Sequence, residues 1–545
     1  TKHRIARIKL CTNSSIWDGI TWSNGMPSSE KTLVFNGNYP LLTTINACSC
    51  SISTGNTVTI PNGNTLGLLF DYSGSGTLVL ENNATLYQSE DQIINTGSIR
   101  MKRETTPIIK TDYTFWSSPV SNQKLIDVSP NTLSDKFYSF NASVNNWHNE
   151  TPTDVMDIGN GYIIRGPESF STIISVTYEA SFIGIPNNGI VSIPIASIGT
   201  SNLIGNPYPS AIDADVFINT NVGITDGTIY LWTHNTPITN NVYTSDDYAV
   251  YNLSGGVGTR AALKLGVNNS IPDGKIASGQ AFFVTSINGG TAVFNNSMRV
   301  IGNNTSFFKS NSIKKNNGLN IEKDRIWLNL SNGQGAFKQT LIGYIEGATN
   351  EYDANFDGGS FGGNKYINFY SINQDKNLVI QGRSLPFQQT DIVPLGYSTT
   401  IKGVFTINID AVDGLLSSQN VFIEDKLNNT IFNLKSGNYT FNTEIGTFNS
   451  RFVLRYTDKT LSTAKFELEK NSVLVSNKNK QIKINAAEEI IDKVIVYDLS
   501  GRKIYQKNNV NDVEFSVFNL ISSQQIVLVK IVLKNGGTVI KKIIF

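Results

Sequence analysis

The sequence predicts an all-β protein: a β-solenoid-like N-terminal region, then β-sandwich domains, ending in a small Ig-like β-sandwich. Three observations carry this. The 545 residues include 45 Gly, 21 Tyr and 28 Phe, and charged residues make up only 16%, well below the usual quarter. Turn formers recur at short intervals between β-branched and aromatic runs. No stretch sustains the amphipathic pattern of a long α-helix. The length suits three or four domains, each able to bury its own core.

Residues 1–104 read as the solenoid-like region. The opening carries Trp17-Asp18-Gly19 and Trp22-Ser23-Asn24-Gly25, short strands and turns. From Ile45 to Lys102, brief β runs follow one another: Thr57–Ile60, Leu66–Phe70, Thr77–Leu80, Ala84–Tyr87 and Ser98–Met101. Gly and Asn punctuate them. Strands this short bury a continuous core only by stacking as rungs. Residues 105–302 read as a β-sandwich passenger domain, with apolar runs at Tyr113–Pro119, Gly159–Arg165, Leu203–Ser210 and Gly279–Val284. The polar stretch 303–323 reads as a linker. Residues 324–457 form another β-rich block, from Ile326–Leu330 to Phe452–Tyr456, expected to be a sandwich. A second short linker, 457–465, precedes the tail, 466–545. There, runs at Val494–Asp498, Lys503–Gln506, Ile526–Lys534 and Thr538–Phe545, with a turn at Asn535-Gly536-Gly537, give sandwich density.

Net charge is +1, so no global field draws nucleic acid or anionic membrane. No apolar run reaches bilayer-spanning length, and no signal peptide is evident. The chain starts at Thr1 rather than Met, which fits a mature or trimmed form. Three cysteines, Cys11, Cys48 and Cys50, allow at most one bridge and one leftover thiol. Cys48 and Cys50, two apart, are expected on one strand face. Pairing of Cys11 with one of them suits an oxidising exterior; three buried thiols is the alternative.

Several constellations bear on chemistry. Asp353-x-Asn355-x-Asp357-Gly358 matches the start of a calcium loop, because alternate oxygens and a turn-forming Gly suit a hard cation. Its closing position holds Asn364 instead of Glu, leaving Glu346 or Glu351 as substitutes; a polar turn is the alternative. The His residues, His3, His148 and His234, lack a nucleophile elbow, and no zinc motif is present. Asp213, Asp215, Asp246 and Asp247 are the densest carboxylates. A glycosidase needs two at a set separation, yet Asp213 and Asp215 read better as caps before Val216-Phe217-Ile218. Gly255-Gly256-Val257-Gly258 reads as a hairpin or loop, since no Lys-Ser/Thr follows. Trp17, Trp22, Trp116, Trp147 and Trp232, with Tyr208, are candidates for glycan stacking, with core packing as the alternative.

The tail resembles the C-terminal sorting domains of type 9 secretion system cargo. The resemblance rests on Val496-Tyr497-Asp498-Leu499-Ser500-Gly501-Arg502 and on Gly536-Gly537-Thr538-Val539-Ile540-Lys541-Lys542-Ile543-Ile544. The family's Leu-x-x-Gly-x-Tyr stretch is absent: Leu520 is followed by Ile521-Ser522-Ser523-Gln524-Gln525-Ile526. Upstream, Gly343–Asn350, Gln381–Phe387, Val393–Tyr397 and Arg451–Tyr456 are similar to the extended, type C sorting region of flavobacterial surface proteins. Trp22–Gly25, Phe115–Pro119 and Gly205–Ser210 are similar to the passengers of that family. The resemblance implies a surface cargo, adhesin-like or structural and noncatalytic, associated with the outer membrane through its partners. Those partners would be the translocon and an outer-membrane β-barrel shuttle protein, with surface glycans as a further ligand. Tyr497, Gly501, Arg502, Gly536, Gly537, Lys541, Lys542, Ile543 and Phe545 are the expected docking residues, the lysines otherwise serving as edge protection. The competing reading is a polysaccharide-active enzyme or glycan-binding module.

Overall fold

The computed structural model describes residues 11, 13–40, 43–233, 238–239, 242–243, 248–259, 271–304, 322–361, 366–458, 473–478, 481–487, 489–518, 520, 525–534 and 538–545. Most of linker 303–323 and of linker 457–465 lies outside the described residues. The chain divides into two compact units, Thr1–Asp458 and Lys459–Phe545.

The N-terminal strands stack in parallel on three faces. Lys31–Phe35, Ser49–Ile52 and Tyr72–Gly74 form one face. Tyr39–Pro40, Thr57–Ile60, Thr77–Leu80 and Ile99–Glu104 form the second. Ile45–Ala47, Thr65–Leu68 and Thr85–Gln88 form the third. The register places like on like: Leu33 against Cys50 against Tyr72, and Val58 against Leu78 against Ile99. With side chains alternating between faces, these residues all point into one buried stack. Rungs too short to bury a face alone therefore share a core, which is the solenoid the sequence predicts.

The last rung, Ile99–Glu104, pairs antiparallel with Glu179–Gly184. One apolar core thus runs from Leu33 to Phe182, joining the solenoid to the passenger region. Two buried arginines strengthen the join. Arg103 donates to the carbonyls of Asn82 and Asn304, the latter at 2.8 Å. Arg299 donates to the Leu86 carbonyl at 2.6 Å and to Ser210 Oγ at 3.0 Å, and lies over the Tyr208 ring. The passenger's largest sheet orders Ser201–Gly205, Ala281–Ser286, Thr225–Trp232, Tyr248–Asn252 and Gly255–Val257. The helix Ala214–Thr220 starts where Asp213 Oδ1 accepts the N–H groups of Asp215 and Val216. This is the cap the sequence suggests.

Residues 323–455 form a single 11-stranded sheet. Its outermost strands, Thr430–Asn433 and Tyr439–Thr443, are consecutive in the chain, and Phe432 meets Tyr439 at 5.6 Å. The sheet therefore rolls nearly closed around its own core of Ile342, Phe369, Leu395, Ile423, Phe441 and Phe452. The two layers expected of a sandwich are continuous parts of one sheet. Its outer face packs on the passenger: Trp327, Leu341, Val379 and Ile380 join Tyr230, Trp232, Val250 and Phe283 in one cluster.

Among its described residues the tail unit has seven strands in two sheets. Leu474–Lys478, Gln481–Asn485 and Glu514–Val517 form one. Lys503–Asp512, Ile491–Tyr497, Ile526–Leu533 and Thr538–Ile544 form the other, in that order. Ile482, Ile484 and Val517 face Val494, Val496, Val529 and Ile531 across the core, a small β-sandwich.

Candidate functional site

The tail's last strand carries three of the nine expected docking residues, Lys541, Lys542 and Ile543, and Phe545 follows it directly. Thr538–Ile544 pairs antiparallel with Ile526–Leu533, setting Val529 opposite Lys541 and Leu528 opposite Lys542. It lies at the sheet edge, where a strand offers its second row of backbone N–H and C=O groups to a further strand. Alternation turns Val539, Lys541 and Ile543 toward the core side and Ile540, Lys542 and Ile544 outward. Lys542 is exposed, while Lys541 and Ile543 are half-buried. Phe545 is 4% exposed and sits in the core, its N–H and C=O exchanged with Gln525. Asn477, unremarked in the sequence, donates its amide to the Ile544 carbonyl at 3.1 Å. Gly536 and Gly537 lie outside the described residues.

Tyr497, Gly501 and Arg502 sit at the turn that joins Ile491–Tyr497 to the other edge strand, Lys503–Asp512, with Tyr497 in one row with Leu528 and Lys542. Asp498 organises this turn. Its Oδ1 accepts the N–H groups of Ser500 and Arg502 and the Ser500 hydroxyl, and its Oδ2 accepts Arg502 Nε at 3.0 Å. The Ser500 hydroxyl, then the Arg502 backbone and guanidinium, hold the Asp498 carboxyl below its usual range. Gly501 adopts φ +79°, a left-handed conformation that suits glycine. Leu499 at the tip is 65% exposed.

Asp353, Asn355 and Asp357 form a tight loop against the passenger. Asp357 Oδ2 accepts the Asp353 N–H and its Oδ1 accepts the Gly382 N–H, both at 2.9 Å. Asp353 Oδ2 accepts the Thr349 N–H at 2.5 Å. The Asn355 carbonyl accepts the Leu253 N–H at 3.1 Å, and the Phe356 carbonyl accepts Ser254 Oγ at 2.7 Å. Burial pushes the Asp357 carboxyl up to about 7 despite its two N–H donors. These oxygens serve as acceptors that pin the loop. Among the described residues no group of three or more His, Cys, Asp or Glu is arranged to hold a metal. Asn364 lies outside the described residues.

The cysteines resolve into a Cys11–Cys48 disulfide and a buried Cys50 thiol. Cys48 falls at the bend before Ser49–Ile52, so it does not share Cys50's strand. Burial raises the Cys50 pKa, and a thiol held neutral is a poor nucleophile.

Asp213 caps its helix and pairs with Lys275 at 2.5 Å. Asp215 accepts the Tyr251 hydroxyl at 2.7 Å, and burial raises its pKa. Gly255 allows close approach of the rolled sheet, since a Cβ there would stand 2.7 Å from Arg325 Nη1, and beside it Trp327 Nε1 donates to the Gly256 carbonyl at 2.7 Å. The tryptophans separate. Trp17 and Trp22 meet at 5.4 Å beside Tyr39 over the first rung. Trp147 and Trp232 flank Phe115 elsewhere, and Trp116 and Tyr208 are buried. His148 lies on the strand Asn146–Asn149. His3, His234, Asp246 and Asp247 lie outside the described residues.

Fold and surface together define an all-β protein of two units, the second presenting an edge strand. A family model described as "Domain of unknown function (DUF8693)" matches residues 11–456, and the chain belongs to that family. A second, "Domain of unknown function (DUF8694)", matches residues 461–545. The two matches meet where the compact units divide. No curated protein matches the chain.

Proposed function

We propose that the protein is a surface cargo of the type 9 secretion system, a noncatalytic, adhesin-like or structural passenger exported by its C-terminal unit. The observation that carries this reading is the seven-stranded tail sandwich whose edge strand, Thr538–Ile544, bears the sorting-domain resemblance. That strand can extend a sheet of the outer-membrane β-barrel shuttle by backbone hydrogen bonds, which need no particular side chain. Lys542 at the rim and the rigid Asp498–Arg502 turn then contribute orientation. Tyr497 and Leu528, neighbours in register, add apolar area beside them. The passenger joins the solenoid, the passenger sheet and the rolled sheet in one compact unit, a body suited to display.

Surface localisation tests the proposal. The full chain, expressed in a host with a type 9 translocon, is accessible to protease added to intact cells. A version ending at Asp458, or the full chain in a translocon-deficient host, stays protected inside. Equal surface exposure of all three contradicts the proposal.

A further inference from the structure

The outward face of the tail's four-stranded sheet carries a charge pattern that its edge strand does not require. Strand register fixes which residues share that face. One row across the sheet holds Tyr497, Leu528 and Lys542, with Lys503 beside Tyr497. The next holds Ile495, Lys530 and Ile540, and the third Lys493, Val532 and Thr538. Ile526 and Ile544 finish one end. Four lysines thus share the face with aliphatic side chains and, on the outer strand, with Gln506 and Asn508, Lys503 donating to Gln506 at 2.6 Å, while the paired carboxylate Asp512 lies opposite the core-facing Ile491. Asp492 lies at the bulge between Ile491 and Lys493, and Asp498 is engaged by Ser500 and Arg502. Ile540 is 56% and Ile544 66% exposed.

We infer that this face docks on an anionic lipid surface, with phosphate-bearing headgroups against the ammonium groups and the isoleucines entering the acyl boundary. Charge complementarity carries the choice. A second copy of the same face would set lysines against lysines. Lysine is a point charge on a long apolar stem, which lets the head reach phosphate while the stem lies along apolar surface. Interfacial surfaces combine cations with isolated aliphatic groups in this way. The chain's near-neutral total of +1 does not oppose it, because the attraction acts within a Debye length of the face. The face shares Tyr497, Leu528 and Lys542 with the proposed export contact, but it needs neither the edge row of backbone groups nor a translocon, so vesicle binding tests it apart from the export reading.

Vesicle co-sedimentation of the full chain tests it. The protein sediments with vesicles of equal parts phosphatidylglycerol and phosphatidylcholine, and not with phosphatidylcholine alone. High salt releases it. The double variant Lys530→Glu with Lys542→Glu binds roughly tenfold or more weakly, as does Ile540→Ser with Ile544→Ser to a smaller extent. Lys426→Glu, an exposed lysine of the other unit, binds as the parent does. Unchanged melting of each variant shows that folding is intact. Equal sedimentation with both vesicle types, or unchanged binding by the double lysine variant, overturns the inference. So does retention on an immobilised acidic polypeptide without vesicle binding, which would assign the face to a protein partner.

Discussion

Asp357 sits where two backbone N–H groups converge, and its proton sets a pH dependence. Its folded pKa is about 7, against roughly 3.9 for an unperturbed aspartate. The folded state therefore holds the proton more tightly than the unfolded chain. The stability this contributes is full below the unfolded value and is lost as pH rises to about 7. Asp357→Asn removes that slope, so the melting temperatures of parent and variant change differently between these limits. It also sets an amide N–H₂ against a backbone N–H, which costs about 1–3 kcal/mol. Identical pH profiles would contradict the assignment. A second buried carboxylate behaves differently. Asp425 is fully buried, with Arg451 donating from Nη2 at 2.9 Å and Nε at 3.2 Å. Asp425→Ala leaves that guanidinium without its counter-ion between Phe441 and Phe452, holding only the Asn442 carbonyl and the Tyr397 hydroxyl, at a cost of about 3–5 kcal/mol in urea denaturation. The sequence shows the residue types at Asp353, Asn355 and Asp357 but not what their oxygens meet. An Asx-rich turn that accepts distant N–H groups and one that cradles an ion share the same letters.

At the scale of elements, the solenoid was the most legible part. Thr57–Ile60 and Thr77–Leu80 have the bounds the sequence suggests, because alternation and Gly-Asn punctuation are local signals. The rolled sheet was less legible. Its near closure depends on Thr430–Asn433 and Tyr439–Thr443 returning to opposite edges of one sheet, and no local pattern encodes that. The cysteine pairing was open in the sequence because Cys48 and Cys50 lie two residues apart; Cys11 bonds Cys48, while Cys50 is buried in the core stack. The bridge closes a loop of sequence separation 37, so reducing it destabilises the N-terminal unit by about 4 kcal/mol in the chain-entropy account. Iodoacetamide labels no cysteine of the folded, oxidised protein and labels Cys50 alone after denaturation without reductant. Labelling of Cys11 or Cys48 under those conditions would contradict the pairing.

For the whole molecule, the division at Asp458 predicts two thermal transitions. Gly255 separates them experimentally. It holds φ +140°, and a Cβ there would stand 2.7 Å from Arg325 Nη1, so Gly255→Val strains the seam between passenger and rolled sheet. Calorimetry then shows the larger transition lowered and the tail transition unmoved. A shift of both would show the units to be coupled. The sequence places a boundary after the rolled sheet, since polar composition marks it. It does not reveal the seam inside the first unit, where Trp327 reaches Gly256 and Asn355 reaches Leu253. Such contacts join distant residues and leave no periodic trace. On the proposed function, the tail unit carries the chain to an outer-membrane partner through its edge strand. Affinity isolation from cell envelopes tests it most directly, using the full chain beside a version ending at Asp458. The expected outcome is that a β-barrel shuttle protein co-purifies with the full chain and is lost with the shortened one. Equal recovery of that barrel from both would contradict it.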